Sequence, residues 1–159
     1  MTKGLKTSNP SVKPTVGELE QTAQRLAGEF NIALSETDTS GISYEKELEG
    51  RNGEVALTYF KDIHADYERI EVERQGSRFS MIDRQGDYLV IINAYGRNLL
   101  DALKKKPHKE GVEAKLLAGI ANNLVTLKKQ PEEQHEICAD IDKAELSSIS
   151  SKTIDKYLS

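Results

Sequence analysis

The sequence predicts an α+β protein with one N-terminal helix, an antiparallel β-meander of four to five strands and a helical C-terminal third. Three observations carry that prediction. Apolar residues recur at alternating spacings of three and four from Val16 to Ala33, the period of a helix with one buried side. From Ile42 to Tyr95 the period drops to two, with Gly where short hairpins turn. Beyond Asn98 the helical period returns and runs to the end of the chain.

Residues 1–14 carry Lys3, Lys6 and Lys13, no acid and no apolar period, and read as a flexible basic arm. Thr15 and Glu18 form a capping box behind Pro14 and open the first helix. Its stripe is Val16, Leu19, Ala23, Leu26, Phe30 and Ala33, and it is expected to end near Leu34, before the polar run Ser35 to Gly41. Strands are expected near 42–48, 54–61, 67–74, 78–84 and 87–95. Gln75-Gly76 and Gln85-Gly86 supply tight turns, and connections this short leave no room for crossover helices, so the sheet is a meander. The run Tyr88 to Ile92 is apolar on both faces and reads as the central strand. Asn98 caps a short helix carrying Leu99, Leu100 and Leu103. A longer helix, Val112 to Lys129, stops before Pro131, and a last helical segment runs from about Glu132 to Ser159. The chain thus divides into an α+β domain over 15–105 and a helical region over 110–159.

Composition narrows the function classes. The chain has 159 residues, 30% of them charged, and a formal net charge of −4. A single cysteine, Cys138, excludes an internal disulfide framework and a Cys-based zinc finger. No apolar run reaches the ~20 residues that cross a bilayer, and the N-terminus lacks the apolar core of a secretory signal. The expectation is a cytoplasmic protein without membrane insertion. The alternative is export by a route that needs no signal peptide. The phosphate-loop, dinucleotide-binding, nucleophile-elbow and zinc-protease motifs are all missing from the sequence, so neither a catalytic residue nor a cofactor is expected.

Asp62, His64 and Asp66 stand two apart and would share a face on an extended chain, a spacing suited to a divalent cation. They also lie between two strand signals, where Asp and His are ordinary loop residues. His135 and Cys138 lie three apart and could meet on a helix. Neighbours so placed do not build an oxyanion pocket, so Cys138 reads as a small buried side chain. Charge is uneven: between Glu36 and Glu73 eleven acids face four bases, a net of −7. Such a sheet face could dock a basic protein partner or imitate nucleic acid, or simply be solvated. Lys104, Lys105, Lys106 and Lys109 form a basic cluster, read as a solvated linker or a phosphate contact.

The tail carries the most specific pattern. Ala144, Leu146, Ile149, Ser150, Thr153, Ile154, Tyr157 and Leu158 resemble the second and third helices of a helix-turn-helix. The resemblance implies that Ala144 and Leu146 pack the first of these helices, Ile149 plugs the turn, and Ser150 caps the recognition helix. Ile154 and Leu158 then bury that helix, and Ser151, Lys152, Asp155 and Lys156 face a groove or a partner. Asp142 and Glu145 fit a cap for the earlier helix. The pattern departs from its usual form at the turn, where Ser148 stands in place of Gly. It also departs in charge, since 112–159 holds six Lys against eight acids. The acidic block Pro131 to Glu136, followed by a Ser/Thr-rich end, also resembles C-terminal export signals of type IVB secretion substrates.

Together these features lead us to expect a non-enzymatic regulatory or interaction protein of bacterial or phage type, either monomer or homodimer. Its sheet domain would bind a protein partner, and its C-terminal helices would dock on DNA or protein. The alternative is a secreted bacterial effector or the acidic chaperone of one. A third reading is a metal-dependent enzyme built around Asp62, His64 and Asp66.

Overall fold

Seven strands hydrogen-bond in sequence order, each antiparallel to the next, in a computed structural model that describes residues 17–38, 44–62, 67–105 and 110–158. The strands are β1 (Ser35–Glu36), β2 (Tyr44–Arg51), β3 (Ala56–Asp62), β4 (Tyr67–Arg74), β5 (Ser77–Arg84), β6 (Asp87–Tyr95) and β7 (Gln134–Ile141). Helix α1 (Glu18–Glu29) precedes them. Helices α2 (Gly96–Leu103), α3 (Gly111–Asn122) and α4 (Leu124–Lys129) lie between β6 and β7, and α5 (Lys143–Ser148) and α6 (Ser151–Leu158) follow. The α+β class and the meander stand as expected, but the sheet has seven strands instead of four or five.

The two additional strands have different origins. β1 is two residues long, too short to show a period. β7 falls where the sequence reads as helix. There His135, Ile137, Ala139 and Ile141 alternate with Gln134, Glu136, Cys138 and Asp140, and β7 pairs with β6 over its whole length. The 110–159 region therefore adds a strand to the sheet, and its buried side chains share one apolar cluster with those of α1 and β2–β6.

Glycine and its neighbours shape the turns. Gln75 and Gly76 have φ of 49° and 86°, and Gln85 and Gly86 have 56° and 92°. Both central residues are positive, the geometry that matches the twist of a two-residue hairpin. Helix α1 ends at Glu29, short of the expected Leu34. Asn31 takes φ 58°, and Ile32 and Asn31 donate their N–H groups to the carbonyls of Ala27 and Gly28. This is a left-handed cap that stops the helix although the apolar period of the sequence runs on to Ala33, which is exposed. The expected helix 112–129 is likewise broken at Asn123 into α3 and α4.

The core lies between the sheet and the helices. Leu57, Val72, Phe79, Ile92 and Ile137 form one row across five strands, and Tyr59, Ile70, Met81, Val90 and Ala139 form the next. Leu26 and Phe30 of the helix stripe and Val90 and Ile92 of the sheet are buried. Helix α1 packs on β3–β5, α6 on β4–β6 and α3 on β7. Arg25 donates to the Ile149 carbonyl at 2.7 Å, and the Ser151 N–H donates to Glu29 at 2.7 Å, so the first helix is bonded to the start of the last. Among the described residues no helix is long and apolar enough to cross a membrane.

Candidate functional site: the bare face of the sheet

Strand alternation gives the sheet a second face, and no described helix packs on it. Helix contacts fall on the other side, as in Glu20 to Lys46, Asp155 to Arg74, and Gly119 against Ile137. The register sets three rows on the bare side. Glu47, Phe60, Arg69, Ile82, Leu89 and Asp140 form the first, Glu49, Thr58, Glu71, Ser80, Ile91 and Cys138 the second, and Arg51, Ala56, Glu73, Arg78, Asn93 and Glu136 the third. Tyr67, Arg84 and Asp87 extend the face at one end. This explains the doubly apolar run in β6. Leu89 and Ile91 are half-buried on the bare face, and β6 is the next-to-last strand of the sheet, not its centre.

A polar network holds the middle of this face. Arg69 reaches Glu71 through Nε at 3.1 Å, the Tyr67 hydroxyl at 3.1 Å and the Ser80 hydroxyl at 3.3 Å. Ser80 is fully buried beneath it. Burial works against the Arg69 charge, yet the Tyr67 and Glu71 contacts outweigh that and raise its pKa above the usual guanidinium value. Arg78 lies 3.8 Å from Glu71 and 3.9 Å from Glu73. Beside the network the Phe60 and Tyr67 rings lie 6.1 Å apart, and the Arg84 guanidinium sits 5.6 Å above Tyr67. A depression lined by Ile82, Leu89, Arg84, Asp87 and Asp140 opens next to them. Aromatic and Arg side chains held by their neighbours are the kind that anchor protein interfaces. With Asp62, which stands opposite Tyr67, eight carboxylates and four arginines project from this face, so it is acidic.

The sequence-predicted residues are distributed as follows. Lys152 is exposed on α6. Ser151 gives its N–H to Glu29. Burial would raise the Glu29 carboxyl, but the Ser151 N–H and Arg25 outweigh it and hold the pKa below 4.5. Asp155 is 3.0 Å from Arg74, and Lys156 is ion-paired to Glu113 with 13% of its side chain exposed. Ser150 accepts from the Thr153 N–H at 3.2 Å, Ile149, Ile154 and Leu158 are buried, and Ala144 is exposed. Asp142 and Glu145 form the expected capping box of α5. Lys105 donates to the Lys156 carbonyl at 3.4 Å, which sets part of the basic cluster beside α6, and Lys104 lies 3.7 Å from Asp101. Lys106 and Lys109, the arm 1–14, and His64 and Asp66 lie outside the described residues. Asp62 ends β3, and among the described residues no three His, Cys, Asp or Glu side chains converge on a metal-sized site.

Two features escaped the sequence reading. Cys138 is exposed, not buried, because β7 turns it to the bare face, while His135 points to the opposite face and bonds the Gln130 carbonyl at 2.9 Å. The thiol pKa is raised by partial burial and by the flanking Glu136 and Asp140. The other is a buried acid. Glu68 is 9% exposed on the core side and accepts the Tyr59 hydroxyl at 2.5 Å. Gly17, at the start of α1, lies so close to the Glu68 carboxylate that a Cβ there would overlap it. The alternation Ile70, Val72 places Glu68 on the buried side, and that was the available signal. The chain matches no family model, no curated protein and no solved structure.

Proposed function

We propose that this chain is a non-catalytic interaction protein whose bare sheet face binds a basic protein partner. The observation that carries the reading is the fixed cluster of Arg69, Tyr67, Phe60 and Arg84 on a face that no described helix covers. Six strands at ~4.8 Å and seven residues at ~3.4 Å give a surface roughly 24 Å on each side. That is the order of the ~800 Å² each partner contributes to a standard interface. The network is already bonded in the free chain, so binding would not have to order it. Excess carboxylates at the rim, Glu47 and Glu49 at one side and Glu136 and Asp140 at the other, would steer a cationic partner.

The test is affinity capture from the source cells with the native chain and with Glu49→Lys/Leu89→Lys, which sets two like charges against a basic partner. Both substituted side chains project from the bare face and neither belongs to the buried core, so far-UV circular dichroism should not change and the variant should stay folded at the assay temperature. The same basic protein should be captured by the native chain and lost with the variant. Capture that survives the double substitution overturns the reading.

A second reading rests on the meeting of Lys105 with α6. Lys152, Lys104 and Lys105 would touch backbone phosphates, as a helix-turn-helix tail requires. Affinity for duplex DNA should then fall with salt on a shallow slope, and Lys152→Ala should weaken binding without lowering stability. Failure to bind either specific or random duplex at low salt removes this reading.

A further inference from the structure

Strands β3 to β6 spend their backbone bonds on two neighbours, β2 is paired on its outer side by β1 only at Leu48 and Glu49, and the two end strands have one described neighbour each. β1 closes one end with two residues, a length too short to template another chain. β7 closes the other end with eight residues and no described strand beyond it. The phase of its free groups follows from the ladder. Gly96 donates its N–H to the Glu133 carbonyl at 2.9 Å, continuing the β6–β7 register by one pair. Bonded and non-bonded pairs alternate along an antiparallel ladder. The odd residues of β7 therefore bond β6, and Gln134, Glu136, Cys138 and Asp140 turn N–H and C=O outward. Lys115 agrees with this phase, since its Nζ takes the Asp140 carbonyl at 3.1 Å. Among the described residues no other partner meets the outer side of β7, which leaves Glu136 and Cys138 with outward donors and acceptors.

We infer that β7 is a docking edge for an extended basic polypeptide segment, which adds antiparallel as an eighth strand. Charge selects this occupant. Glu132, Glu133, Glu136, Asp140 and Asp142 line the strand and its ends; of the cations beside them Arg97 is paired to Glu132, and Lys115 is offset by Glu145 at 2.7 Å. Side chains of an added strand that sit opposite Glu136 and Asp140 lie on the bare face, so Lys or Arg there meets a carboxylate directly. A second copy fits worse. Two β7 strands paired about Cys138 set Glu136 opposite the Asp140 of the copy, like charge against like, twice over. The edge bonds through backbone groups and does not require the bare-face reading to hold.

The test uses the full chain and three labelled decapeptides, read by fluorescence anisotropy. One alternates Lys and Thr, one alternates Glu and Thr, and one is the Lys–Thr peptide N-methylated at every Lys. The first should bind at least tenfold tighter than the other two, and hydrogen exchange should slow at the Glu136 and Cys138 amides. Glu136→Lys/Asp140→Lys should reverse the preference towards the Glu–Thr peptide. If the N-methylated peptide binds as well as its parent, the contact is loose charge attraction and the proposal fails. It fails equally if the Lys–Thr peptide does not bind, or if slowed exchange maps to another strand.

Discussion

Removing one oxygen from Tyr59 should cost stability in a way that depends on pH. Tyr59 is 1% exposed and donates its hydroxyl to Glu68, itself 9% exposed, at 2.5 Å. Tyr59→Phe keeps the ring and deletes the donor, and water has little access to replace it. A hydrogen bond to a charged group contributes about 1.5–3 kcal/mol and one between neutral groups about 0.5–1.5 kcal/mol. The protonation of Glu68 decides which figure applies. Burial raises its pKa above 4.5, partly offset by the Tyr59 donation and Lys61 and reinforced by Asp83 and Glu20. The folded carboxyl thus holds its proton to higher pH than the unfolded one. The stability contributed by that proton is complete below about 4.5 and is lost as pH rises through the raised folded value. At pH 4, below its raised pKa, Glu68 is protonated and Tyr59→Phe should cost about 1 kcal/mol; the cost should climb towards about 2 kcal/mol as the carboxyl ionises, and so be larger at pH 7.5. Urea unfolding followed by circular dichroism at both pH values measures the difference, with the slope m unchanged between variants. For a chain of this length about 2 kcal/mol corresponds to roughly 4–8 °C in Tm. Equal costs at the two pH values, or a cost below ~0.5 kcal/mol at pH 7.5, would refute the reasoning.

Three other predictions concern stability, each read from the same unfolding curves. Phe30→Ala empties a site 7% exposed between α1 and the sheet and should cost about 3–5 kcal/mol; a loss under ~1 kcal/mol means the site is not packed as described. Asp142→Ala removes the bond to the Glu145 N–H at 2.7 Å and should cost about 0.5–2 kcal/mol, with no loss expected if α5 needs no cap. Gln85→Asn puts a residue suited to φ 56° into the β5–β6 turn and should gain about 0.5 kcal/mol, and a loss would contradict the turn geometry.

The hairpins were the most legible part of the sequence, because β4 to β6 carry both a period of two and a glycine at each turn. β7 was not legible for a physical reason. Its inward residues are His135, Ile137, Ala139 and Ile141, and only the two isoleucines are strongly apolar. Its flank Pro131 to Glu136 is acidic, and the period-two signal drowns between two helical ones. The break at Asn123 was hidden because Leu127 keeps the phase of Ile120 and Leu116 across it. The bare face was half visible. Leu89 and Ile91 marked a strand apolar on both sides, but which side lacks a helix depends on where α1, α3 and α6 pack, and that is a tertiary choice. The pairing of Asp155 with Arg74 and Lys156 with Glu113 joins residues 81 and 43 positions apart, beyond the reach of any local pattern.

The bonds from α1 to the start of α6 have a consequence for how the molecule opens. Arg25 to Ile149 spans 124 positions, and Ser151 to Glu29 spans 122. Lifting either helix from the sheet breaks both bonds, so the first and last helices are expected to open together although they are remote in sequence. Hydrogen exchange under native conditions should report a shared opening free energy for the amides of Ala23 to Ala27 and those of Ile154 to Leu158. A protease that cuts in one helix would then reach its site only when both have lifted, which protects each segment by the stability of the pair.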